Sequence, residues 1–179
     1  MPAFVFTPAA YGPAVAALVP PPDFPVALGP GTPLAANVRG LRAFDLLTDL
    51  GRPVVDVETA RACHAGLWLA NDFLDESHTI SQDLPSATGS FWHAVMHRRE
   101  PDAFNSKYWW RKVGPHPVLD QLGEQAPALG YTFTNPFDFV DFCEQVRGSG
   151  TPDEGLAERV QWLEFCLLFD HCFHASFGA

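Results

Sequence analysis

Residues 88–115 read TGSFWHAVMHRREPDAFNSKYWWRKVGP, and the stops and starts inside this stretch decide the fold. Thr88–Arg99 has helical character. Glu100-Pro101 ends it, because a proline disfavours helical backbone in the residue before it. Asp102 is a good N-cap, since its carboxylate can accept from a free amide of the next helical turn. A second helix then covers Ala103–Val113, and Gly114-Pro115 supplies the stop. The stretch is two short helices hinged at Glu100-Pro101.

The same punctuation runs outward. Asp56 caps a long helix predicted to reach about Gln82, and Leu84-Pro85 ends that run. A short helix is predicted over Val118–Glu124. Asn135-Pro136 opens another, to Arg147. Thr151-Pro152 opens the last, to about Ser176, with Asp153 and Glu154 complementing the helix dipole. Leu34–Leu50 is weakly helical, and Gly51-Arg52-Pro53 breaks it. No run alternates as a strand would.

Residues 1–33 hold nine of the 17 prolines, which predicts an extended arm or a series of turns. Its apolar residues Phe4, Val5, Phe6, Val15, Leu18, Phe24, Val26 and Leu28 predict that it packs on the body, since a free linker is more polar. The expectation is all-α: a single-domain helical bundle over residues 34–179, with a proline-rich N-terminal arm over 1–33.

The chain has 179 residues, 47% of them hydrophobic, with 15 Phe and 5 Trp, which suits one domain with a real core. Its net charge of -10 repels nucleic acid and anionic membranes, so neither is an expected partner. The long uncharged run at residues 1–22 is cut by prolines, so no membrane-spanning helix is expected. That end also lacks the basic start of a signal peptide. Cys63, Cys143, Cys166 and Cys172 lie in apolar helical patterns without C-x-x-C spacing. They read as buried free thiols in a reducing cytoplasm.

Chemistry-bearing residues gather in two places. On the long helix, taken at 100° per residue, Asn71 and His78 lie within about 40° of His64. Arg61, Trp68, Asp72, Asp75 and Glu76 fan out to one side. A solvated face is the ordinary reading of such a pattern. A cleft lining is the sharper one, because His, Trp, Asn and Asp are weaker helix formers than the usual surface residues. In the opening stretch, His93 and His97 are four apart and share a face, a spacing that can place two imidazoles on one metal ion. Ala94 stands where zinc proteases carry glutamate, which excludes their mechanism. Candidates for a third ligand are His78, Glu76, or the Asp170/His174 pair.

Five of the 11 basic residues, Arg98, Arg99, Lys107, Arg111 and Lys112, fall in this window against Glu100 and Asp102. The arginines either pair with Asp72, Asp75 and Glu76 as structure, or bind a small anion. The last helix is apolar nearly all round, so Gln161, Glu164, Asp170, His171 and His174 need partners. The Glu-x-x-His spacing of di-iron bundles is missing there.

The string His97-Arg98-Arg99-Glu100-Pro101-Asp102, Asn105, Tyr108 to Gly114 and His116-Pro117, with Phe73 to His78 upstream, resembles a motif of uncharacterised bacterial proteins. That resemblance carries no activity with it. A looser likeness is to DinB-like helical bundles, which set histidines from separate helices around one metal. His93 and His97 carry it.

The site is therefore expected where residues 64–78 meet residues 93–111. In one reading the protein is an enzyme or binder for a small anionic molecule. Arg98, Arg99 and Arg111 hold the anion, with Asn105 and Tyr108 beside them. His78, His93 or His97 moves protons or ligates a divalent metal, and Glu76 or Asp75 orients an imidazole. The alternative is a non-catalytic structural or interaction module, in which the same residues form a buried ionic network.

Overall fold

The computed structural model describes residues 4–21, 27–45, 48–49 and 52–178. Among these residues there are helices and no strand. The α-helices are α1 (Pro13–Leu18), α2 (Val38–Ala43), α3 (Val57–Ala70), α4 (Leu74–Ser81), α5 (Ala87–Arg99), α6 (Ala103–Val113), α7 (Pro117–Gln125), α8 (Pro136–Val146) and α9 (Pro152–Ala175). The protein is all-α, as its capping pattern predicts.

Local chemistry sets most boundaries. The Asp56, Asp102 and Asn135 side chains accept from the amides of Thr59, Asn105 and Asp138, capping α3, α6 and α8. Ser86 does the same for α5 through Gly89, and His116 for α7 through Val118. Helices α5 and α9 form the middle of the bundle. Every residue from Gly89 to Arg99 is buried. Helix α9 packs on α3, α7 and α8, and α5 on α3, α4 and α6. Gly66 lets α3 approach α5, since a Cβ there would sit 2.7 Å from the Trp92 ring. All four cysteines are free and buried.

Of the two forms expected of so many prolines, an extended arm or a series of turns, the described part of the arm takes the second. Pro8–Tyr11 forms a 3-10 turn, and Pro13 starts the two-turn helix α1, because proline is well suited to a first helical turn. Tyr11, Val15, Leu18 and Leu28 enter the core, and Val5 stays exposed. Phe24 and Val26 lie outside the described residues. In the weakly helical segment 34–50, a 3-10 turn at Ala35–Asn37 leads into α2, while Leu46, Leu47, Leu50 and Gly51 lie outside the described residues.

The long helix expected over 56–82 is two helices. It breaks at Asn71–Phe73, where Asp72 takes a left-handed φ of 65°. Groups from elsewhere in the chain make the break. The Asn71 amide donates to the Leu18 and Leu67 carbonyls and accepts from Asn37 Nδ2 at 2.8 Å. Arg99 donates to the Leu69 carbonyl and to Asp72. The shared polar face of residues 64–78 therefore does not exist. His64 turns to the Leu41 carbonyl at 2.9 Å and packs on Phe44 and Trp68. His78 leaves on α4.

Candidate metal centre

Two adjacent helices bring three imidazoles together. His93 and His97 sit one turn apart on α5, and His78 comes across from α4. Ring centroids are 4.7 Å apart for His78 and His93, 5.3 Å for His78 and His97, and 4.8 Å for His93 and His97. One nitrogen from each ring lies within 4.8 Å of the others. Tetrahedral ligation at about 2.0–2.1 Å places nitrogens about 3.3 Å apart, so the rings need close by at most about 1.5 Å.

His93 is the telling member. It is 2% exposed, and neither ring nitrogen makes a well-formed hydrogen bond, the Ser81 backbone giving only a weak one that slightly opposes the fall in its pKa. A buried imidazole well paired on neither side is costly, and such groups in folded proteins generally answer to something such as an ion. Burial, then the neighbouring charges of His97, His78 and Lys112, push its pKa down to about 3. It is therefore neutral at ordinary pH, the form that ligates metal.

His97 is held differently. Its Nδ1 lies 2.9 Å from Glu100 Oε2. An Nδ1–H donating to that carboxylate leaves Nε2 with the lone pair, the arrangement that orients metal-bound histidines. Burial lowers the His97 pKa, and Glu100 opposes the shift. His97, Glu100 and Asp102 also form a group within 4.8 Å. Asp102 is committed to capping α6, accepting from Asn105 N at 3.0 Å and Asn105 Nδ2 at 2.7 Å. Glu100 and Asp102 thus read as the surroundings of His97 rather than a second centre.

Helix α6 closes one side. Trp109 stacks on His93 at 3.9 Å between centroids and 16° between planes. The Lys112 ammonium lies 4.1 Å from the Trp109 centroid and 4.7 Å from that of Tyr108. Ser106 ties α6 to α5 by donating to the Ala94 carbonyl at 2.8 Å.

The remaining candidate residues scatter. Arg98, fully buried, donates to Glu164 and Gln161 and lies over the Phe139 ring. Arg99 donates to Asp72 at 2.6 Å. Both guanidiniums are held by carboxylates of this chain, as in a buried ionic network. Of the three acidic partners weighed for the arginines, Asp72 is one; Arg98 instead finds Glu164 on α9. Arg111 is exposed, 6.0 Å from the Phe137 centroid. Asn105 is engaged with Asp102, and Tyr108 is exposed. Glu76 does not join the histidine group. Asp170 accepts from Tyr11 at 2.8 Å, and His174 lines a surface cleft with Arg52 and Phe177. His171 packs edge-on against His116. Sequence reasoning missed Trp109 as the wall of the site and Glu100 as the partner of His97. The three-residue spacing of His97 and Glu100 was the available signal for the second.

Comparison with protein-family models, curated proteins and solved structures found no match for this chain.

Proposed function

We propose that the protein binds one divalent transition-metal ion at His78, His93 and His97, with Glu100 orienting His97, and that the ion takes up a small anionic molecule. The observation that carries this reading is His93, buried with neither nitrogen well paired between two other imidazoles. An all-imidazole set suits zinc, copper, iron or nickel. Three protein ligands are also the usual complement of a centre that keeps a coordination position open, whereas structural zinc sites use four. Three neutral imidazoles leave the ion its full charge, and an anionic fourth ligand offsets it. The anion is held by the metal, since Arg98 and Arg99 are committed to Glu164 and Asp72. Four buried free thiols favour a reducing, cytoplasmic setting. No helix among the described residues is long and apolar enough to cross a membrane.

The test is metal uptake. Chelator-stripped protein is expected to bind one equivalent of zinc or cobalt(II) and to melt at a higher temperature when loaded. Azide or inorganic phosphate should then change the visible spectrum of the cobalt form. Absence of stoichiometric metal, with an unchanged melting temperature, refutes the reading. The second reading, a non-catalytic module, is favoured by the two buried ion pairs, and it predicts no response to metal.

A further inference from the structure

We infer that the buried Arg99–Asp72 pair is the positioning element of this centre, holding the break between α3 and α4 and so setting where α4 presents His78 to α5. The inference rests on the metal reading. Its basis is the backbone bonding at the break. In an unbroken helix the Phe73 amide would donate to the Leu69 carbonyl, four residues back. Here it donates to the Trp68 carbonyl at 3.0 Å. The Leu69 carbonyl accepts from Arg99 Nη1 and from the Asp72 amide at 3.1 Å. The guanidinium thus occupies the acceptor that helix continuation needs, while its other arm grips the carboxylate of Asp72, which turns left-handed at the break.

Two further features fit a geometric role. Arg99 Nε is buried without a hydrogen-bond partner, and Asp72 Oδ2 has at most a weak bond from the Gly31 backbone, so the pair is incompletely satisfied and a poor source of stability. The arm also closes over it. A Cβ at Gly31 would come within 2.8 Å of Asp72 Oδ2, so the approach requires glycine. Arg99 lies two residues beyond His97 on α5, so the clamp and two of the three ligands share one rigid helix. Any shift of the break moves His78 relative to both.

The experiment compares wild type with Asp72→Ala, Asp72→Asn and Arg99→Lys in the full chain. Three properties are read: zinc affinity by competition with a chromophoric chelator, the spectrum of the cobalt form, and melting in chelator. Asp72→Ala removes the partner of Arg99 and disfavours the left-handed turn. It should weaken zinc about tenfold or more, the scale of losing an outer-shell support, and alter the cobalt spectrum. Arg99→Lys should do likewise, because an ammonium cannot span both acceptors as the guanidinium fork does. Asp72→Asn, which tolerates the turn and still accepts from Arg99, should recover affinity to within about threefold. A purely structural pair would lower the melting temperature in chelator and leave zinc affinity and the cobalt spectrum of the folded protein unchanged. That result overturns the inference. If Asp72→Ala does not fold, the contrast between Arg99→Lys and Asp72→Asn decides the matter. Should wild type bind no zinc, the metal reading fails first and takes the inference with it.

Discussion

Replacing His93 should stabilise the metal-free protein and abolish its response to metal. The imidazole is 2% exposed with neither nitrogen well paired, and an unsatisfied buried polar group costs about 1–3 kcal/mol. His93→Phe removes those nitrogens and keeps a flat ring against Trp109, 3.9 Å away. The metal-free variant should gain about 1–2 kcal/mol, with His93→Leu guarding against overpacking by the larger ring. At about 2–4 °C per kcal/mol for a chain of this size, the melting temperature should rise by roughly 2–8 °C. Zinc reverses the order. At a free concentration of about 100 times Kd the wild type gains about 2.7 kcal/mol, and the variant gains none. The assay is urea and thermal unfolding at pH 7.5, with chelator and with zinc, followed by circular dichroism. The part of the tryptophan fluorescence change on cobalt addition that is lost in Trp109→Phe serves as a local probe, since the chain has five tryptophans. Two outcomes refute the reasoning: both metal-free variants less stable than wild type by more than about 1 kcal/mol, or zinc stabilising all three proteins equally.

Further outcomes test the rest of the site and its frame. Arg98→Ala strands the fully buried Glu164 and should cost about 3–5 kcal/mol in urea unfolding, whereas Arg98→Met with Glu164→Leu should be near neutral or stabilising. Glu100→Gln should weaken zinc by about 10–100-fold in chelator competition, with little change in metal-free stability. Acid should destabilise the metal-free protein early. Burial pushes His93 down to about 3, and burial with the His171 charge takes His116 down to about 4. Both are neutral when folded and take up protons on unfolding. Their contribution is full above about pH 6.5 and falls as pH drops toward 4, by up to about 1.4 kcal/mol per pH unit for each. His116→Asn, which can still cap α7, should make that fall shallower between pH 6 and 4.5; an unchanged slope in pH-dependent urea unfolding contradicts the assignment.

The helix ends show what the amino-acid order decided by itself. Asp102 and Asn135 accept from amides within a few residues, and Pro152 pre-sets the backbone of a first turn, so α6, α8 and α9 start where local chemistry puts them. The four-residue spacing of His93 and His97 survives for the same reason, because one turn of helix places them together whatever surrounds it. Where α3 stops was a different matter. Asn71-Asp72 is a pair that tolerates a bend, but its bend is held by Leu18, Asn37 and Arg99, distant in the chain. Only their packing chose between one long helix and two, and with that choice moved His78 from the company of His64 to that of His93 and His97. The same packing matched Arg98 to Glu164, 66 residues away, where charge counting alone pointed to the acids nearer in sequence. Local hydrogen bonds made the elements legible in the sequence, while burial and the pairing it forces on polar groups made the site.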